Sequence, residues 1–281
     1  MVIKIVTDST ADLPPGVAEK LGITVVPLYV RFGDKLYRDR IDISEDEFYD
    51  RLVHDPIHPG TSQPTPNDFA FVYRKLAKEA DGIISIHISS KLSGTCGSAL
   101  GGKQMIEDPR RIEVIDSLWT SIALGLLAMR AAAGANEGKG MQELVQEINS
   151  LKPNIHYLGF FDTLKYMQIG GRIGKAQSLM GSVLNVKPLL TLKDGEFLPA
   201  GRVRTHSKAK ERLFEFVKDG EQMETALVVH STTPDEAQAM ADRFSTLIDR
   251  EKILIARLGP VLGVHAGPGT LFTGYLSRKA D

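Results

Sequence analysis

Three stretches of the chain, VIKIVT (2–7), GIISIHI (82–88) and RIEVID (111–116), are apolar with little alternation, and each runs into a polar cluster. Strands written this way are buried on both faces, which requires a largely parallel sheet covered by helices. The segments between them supply those helices. SEDEF carries a capping box, with Ser44 and Glu47 three apart, and TPNDFAFVYRKLAKEA opens with Thr65 as N-cap and Pro66 at the first helical position. ITVVPLYVRF reads as a further strand in which Pro27 marks an edge or a bulge.

KGMQELVQEINSLKPN closes this first half as a helix that Pro153 stops. The expected boundary lies there, giving an N-terminal α/β domain at 1–153 and a C-terminal mixed α/β domain at 154–281. In the second half VKPLLTLKDGEFLPAGRVRT holds two extended runs joined at Asp194-Gly195, a hairpin signal that brings antiparallel pairing into the sheet. A helix over HSKAKERLFEFVKD, a strand TALVVHS, a helix capped at TTPDEAQAMADRF, and final strands ILIARLG and GVHAG complete the expectation.

With 281 residues and 42% apolar side chains the chain can bury a sizeable core. A net charge of -1 exerts no overall pull on nucleic acid or membrane. Cys96 is the single cysteine, which excludes an internal disulfide and any multi-thiolate zinc site. The first residues read as a strand and no apolar run is long enough to span a bilayer, so a cytoplasmic location is expected.

Polar chemistry collects at the ends of the apolar runs: VTDST (6–10), HISSKLSGT (87–95) and VIDS (114–117), joined by the loop GTSQPTPND with Thr61 and Ser62. In open α/β sheets the carboxyl ends of strands border the ligand crevice, and short hydroxyls there can hold an anion as readily as they cap the following helix. Catalytic motifs fail. GSALGGKQ lacks the P-loop Ser/Thr, since Gln104 stands after the lysine; no G-x-S-x-G elbow surrounds Ser93; and the seven histidines show no metal spacing. Cys96 near a helix start reads as a buried cysteine before a nucleophile. His265 lies among Gly263, Gly267 and Gly269, which favours contact with a ligand. Arg172, flanked by Gly170, Gly171 and Gly174, suits a phosphate or carboxylate, whereas Arg202 and Arg204 alternate on one strand face.

VTDSTADLP, TSQPTPNDF, ISSKLSGT, VIDSLWTSIALG, DTLKYMQIGGRIG, VKPLLTLKDGEFLPAGRVRT and GPVLGVHAGPGTL occur in an order that resembles the DegV family over almost the whole chain. The resemblance implies a two-domain α/β protein holding one long-chain fatty acid between its domains, the substrate-presenting subunit of a bacterial fatty acid kinase. It makes Thr61, Ser62, Ser93, Gly94 and Thr95 the carboxylate cradle, with His265 beside the same head group, and makes Arg172 and Arg202 candidates for docking the kinase or steering its phosphates. ATP and Mg²⁺ would belong to that partner, so this chain needs no cofactor; transient membrane contact fits such a role, and nucleic acid does not. Two departures stand out: Gln168-Ile169 replaces the basic residue common before the GGRI glycines, and Cys96 replaces an aromatic after SGT. An acyl-ester or thioester hydrolase using Ser93 with His265, and a module that senses fatty acid without a kinase, remain as alternatives.

Overall fold

The computed structural model describes residues 1–180, 186–220 and 222–278. In chain order its first half comprises β1 (Ile3–Asp8), α1 (Val17–Leu21), β2 (Ile23–Val26), β3 (Tyr29–Phe32), β4 (Lys35–Arg38), α2 (Glu45–His54), β5 (Gly60–Ser62), α3 (Pro66–Leu76), β6 (Gly82–His87), α4 (Thr95–Gln104), β7 (Ile112–Asp116), α5 (Ser121–Asn136) and α6 (Met141–Leu151). The second half follows with β8 (Ile155–Phe160), α7 (Lys165–Ile169), β9 (Lys187–Lys193), β10 (Glu196–Val203), α8 (His206–Lys218), β11 (Met223–His230), α9 (Pro234–Phe244), β12 (Ile253–Arg257), α10 (Pro260–Ala266) and β13 (Leu271–Ser277).

The continuous apolar runs form a parallel sheet in the order β2-β1-β6-β7, and β6 is buried along its whole length. A mixed six-stranded sheet, β10-β9-β8-β13-β11-β12, gathers the second half. Its β9–β10 hairpin turns at Asp194 and Gly195, both at positive φ, as the Asp-Gly pair requires. The α/β architecture is therefore the one expected. Thr65 and Asp68 close a capping box on α3, and Ser44 accepts from the Glu47 amide at the start of α2.

Three segments differ from the sequence reading. ITVVPLYVRF is two strands in two sheets: Pro27 and Leu28 separate β2 from β3, and β3 pairs with β4 and β5 in a small antiparallel sheet. GVHAG belongs to α10, because Pro260 starts a helix whose Val261 and Val264 bury themselves against Val30, Phe48 and Leu52. Gly263 is needed there, since a Cβ would lie 2.4 Å from the Phe48 ring. The last strand is β13, LFTGYLS, which the alternation-poor sequence hid. At α9, Pro234 occupies the first helical position while Thr233 makes no side-chain cap bond.

One apolar cluster runs through both sheets, from Ile3, Ile84 and Leu124 to Tyr157, Leu227 and Phe272. The two halves share a core.

Candidate functional site

The polar strand ends divide into two groups. Asp8 and Asp116 are spent on the backbone: Asp8 accepts from the Thr10 and Ile88 amides and from His87, and Asp116 accepts from the Ser90 and Leu118 amides. These carboxylates tie down loops. The hydroxyls of VTDST stay in the core, on the Ile86 carbonyl, Asp8 and the Leu28 amide, whereas those of Thr61, Ser62 and Ser93 reach a cavity of about 270 Å³ between the two sheets, walled by Leu28, Ile88 and Leu92 from the first half and by Phe161, Phe197, Leu258, Val261 and Phe272 from the second. Among the described residues, Arg172 is the one charged side chain in its wall.

Thr61, Ser62, Ser93 and His265 all line this space. The β5–β3 pairing sets Thr61 opposite Val30, and α10 carries His265 to it, so that Thr61 Oγ1 and His265 Nε2 are 3.1 Å apart. Burial, with Arg172 nearby, pushes the imidazole down to about 3, so His265 is neutral at physiological pH. Its Nδ1 is buried without a partner. A bare lone pair is cheaper to bury than a bare N–H, which favours the tautomer with the proton on Nε2. His265 then donates to Thr61, and the Thr61 hydroxyl is left to donate onward into the cavity.

Ser93 reaches the same wall from the turn before α4. Its Oγ lies 2.8 Å from Thr95 Oγ1 and accepts from the Thr95 amide. Thr95 is fully buried and does not line the cavity; it positions Ser93. Gly94 faces an adjoining outer depression, and a Cβ there would strike the Gln63 side chain, which crosses to donate to Ser98. Arg172 stands on the boundary, lining both spaces and donating to the Leu92 and Gly170 carbonyls. Arg202 is exposed on β10 and lines neither. The outer depression also holds Lys91 and Lys175, both paired with Glu196.

Sequence reasoning missed Gln63, Thr120, Ser121 and Tyr157 as lining residues. The first three lie inside the polar strings TSQP and LWTS, but nothing in their spacing distinguishes wall from cap. Ser93 and His265 make separate hydrogen bonds, to Thr95 and to Thr61, so no serine–histidine couple forms. Burial pushes the Cys96 thiol up to about 11, which suits a packed side chain and not a thiolate. Among the described residues, no cluster of three or more His, Cys, Asp or Glu side chains could hold a metal, and no helix is long and apolar enough to cross a membrane.

The helix carrying His265 is fastened at its start by the opposite half. Asp12 accepts from the Gly259 amide at 2.9 Å, from Arg40 at 3.0 Å and from the Ser121 hydroxyl at 2.6 Å. Arg40 also donates to the Arg257 carbonyl, the Tyr49 hydroxyl donates to the Leu258 carbonyl, and Arg257 pairs with Asp46. Burial raises the Asp12 carboxyl to about 7 and that of neighbouring Asp39 to about 6, against the pull of Arg40.

The profile of the uncharacterised DegV protein family matches residues 2–278. The chain belongs to the DegV family. DegV domain-containing proteins of Streptomyces coelicolor and Halalkalibacterium halodurans are 40% and 37% identical to it, each over at least 98% of both chains. Among solved structures, a DegV family protein from Thermus thermophilus, described by its fatty acid binding, is 37% identical with a TM-score of 0.91, covering 99% of this chain and 100% of its own. DegV of Bacillus subtilis, a fatty acid binding protein, is 31% identical with a TM-score of 0.90 over 99% and 100%. The DegV fold is thus shared from end to end.

Proposed function

We propose that this chain binds one long-chain fatty acid in the cavity between its two lobes, 1–153 and 154–281, and presents the carboxylate to a separate ATP-binding kinase subunit in the cytoplasm. The observation that carries the reading is an apolar cavity on which the neutral side chains of Thr61, Ser62, Ser93 and His265 converge, with Arg172 at its boundary. The fatty acid binding of the Thermus and Bacillus relatives supports it.

Chain burial dominates the affinity. A sixteen-carbon acid buries about fourteen methylenes at about 0.8 kcal/mol each, on the order of 11 kcal/mol before the costs of ordering and association. The head group then needs orientation more than attraction. Neutral hydroxyls hold the carboxylate while leaving its oxygen nucleophilic, whereas clamping it with charge would stabilise the ground state against attack. That oxygen attacks the γ-phosphorus of ATP, the bond to the β–γ bridging oxygen breaks, and acyl phosphate and ADP result; ATP and Mg²⁺ are the kinase's to bring. In this reading Arg172, on the boundary of the cavity, steers the incoming phosphates, and Arg202, exposed on β10, contacts the kinase surface. A hydrolase is less well supported, because Ser93 has no histidine to activate it.

Lipid extraction of the purified protein followed by mass spectrometry should yield a long-chain acid, and added palmitate or oleate should raise the melting temperature of stripped protein. Absence of both effects removes the reading. Ser93→Ala should retain lipid, since one neutral hydrogen bond is worth about 1 kcal/mol, while acyl phosphate formation with a cognate kinase falls. Complete lipid loss in that variant would contradict the assigned role. Arg172→Ala should weaken phosphoryl transfer at limiting kinase more than lipid retention; normal turnover would remove Arg172 from phosphate steering.

A further inference from the structure

The cavity has a second polar patch that a plain alkyl chain leaves unused. Thr120, Ser121 and Tyr157 line it, and they are only 4%, 1% and 2% exposed. Thr120 Oγ1 and the Tyr157 hydroxyl are both buried without a hydrogen-bond partner. Ser121 gives its proton to Asp12 Oδ2, and its oxygen is the nearest polar neighbour of the Tyr157 hydroxyl, beyond the geometry of a formed hydrogen bond, so Thr120 is the wholly unpartnered member of the patch.

The local backbone makes the Thr120 orientation informative. Thr120 occupies the cap position of α5, a helix of 16 residues, in the extended conformation from which a threonine ordinarily caps, yet its side chain makes no cap bond. Ser121, the first helical residue, has φ +53, and Leu118 has φ +61, left-handed conformations that non-glycine residues adopt at a cost. The chain thus enters α5 through a strained turn that leaves the threonine hydroxyl in the cavity wall. No hydrogen bond connects this patch to the Thr61–His265 or Ser93–Thr95 pairs. Around it the wall is aromatic: Tyr157 stacks on Phe272, and Phe161 meets Phe272 edge-on.

Buried hydroxyls in an otherwise apolar wall are costly unless something in the cavity bonds to them. A saturated chain offers nothing. A hydroxyl borne partway along the chain offers both a donor and an acceptor, and Thr120 and Tyr157 can each serve as either. We propose that the Thr120–Tyr157 patch is a subsite for an oxygenated acyl chain, so that this protein prefers a monohydroxylated long-chain fatty acid over its plain counterpart. The proposal rests on the fatty-acid reading above and specifies the substrate class within it.

The test is competition binding on delipidated full-length protein, comparing stearate with monohydroxystearates that carry the hydroxyl at successive carbons. One position, or two adjacent ones, should bind more tightly than stearate, by about three- to tenfold, the worth of one or two good hydrogen bonds. Thr120→Val keeps the side-chain shape and removes no helix cap; it should bring that ratio back toward one, and Tyr157→Phe should lower it in the same sense. If stearate binds and no positional isomer exceeds it, or if both variants leave the ratio unchanged, the subsite is overturned while fatty acid binding stands. If neither stearate nor any hydroxystearate binds, the fatty-acid reading falls and this inference falls with it.

Discussion

Asp12→Ala should lower the unfolding free energy by about 2–4 kcal/mol, since a buried donor left without its acceptor costs about 1–3 kcal/mol. Two buried donors lose their acceptor at once, the Gly259 amide and the Ser121 hydroxyl, and Arg40 loses one partner while keeping the Arg257 carbonyl and Glu45. Asp12 also sits at φ +45, a conformation that aspartate tolerates better than alanine. Urea denaturation at fixed pH checks the value, and a loss below about 1 kcal/mol would show that the fastening of α10 lies elsewhere. The same carboxyl gives a pH signature. Its folded-state value is raised from 3.8 to about 7, so between those limits the folded chain holds a proton that the unfolded chain has released. Its contribution is therefore greatest in acid and declines as pH rises toward 7, by up to about 1.4 kcal/mol per pH unit. Asp39, raised to about 6, adds to the same slope. In Asp12→Asn the Asp12 share of that slope should vanish; an unchanged stability–pH profile would refute the assignment.

Ala266→Phe should abolish most lipid retention. Ala266 lines the cavity from α10, a few residues after the fastened start of that helix. A phenyl ring placed in about 270 Å³ displaces several methylenes of the ligand. Losing four of them at about 0.8 kcal/mol each amounts to roughly 3 kcal/mol, or about two hundredfold in affinity. Quantifying co-purified fatty acid and the affinity of the stripped variant for palmitate would measure it, with the melting temperature of the ligand-free protein as the control for folding. Retention of lipid at the wild-type level would place the acyl chain outside this cavity.

The parallel sheet was legible because burial on both faces writes itself into sequence as unbroken apolar runs, and the β9–β10 hairpin because Asp194-Gly195 can take the positive φ its turn needs. Segments whose form depends on distant partners were not. β5 is only Gly60–Ser62, too short for any periodicity, and exists because β3 lies beside it. GVHAG reads as a final strand, yet Val261 and Val264 find Phe48 and Leu52 and a helix results. The same distinction governs the candidate site. Thr61, Ser62, Ser93 and His265 carried signals as polar residues in recurrent or glycine-rich settings, and they line one cavity. Thr120 and Ser121 look in sequence like any helix start; only the packing turns Thr120 away from its cap.

The apolar cluster that crosses from Ile84 and Leu124 to Tyr157 and Phe272 constrains how the cavity can exchange its contents. Prising the halves apart would hydrate the whole cluster, which amounts to global unfolding. Exchange through a local breach is far cheaper, and the outer depression around Gly94, Gly171 and Gly174 adjoins the cavity at Leu92, Ser93 and Arg172. With the carboxylate held at Thr61 and Ser93 as proposed, that end of the ligand would lie nearest the exit, and cargo would leave head first.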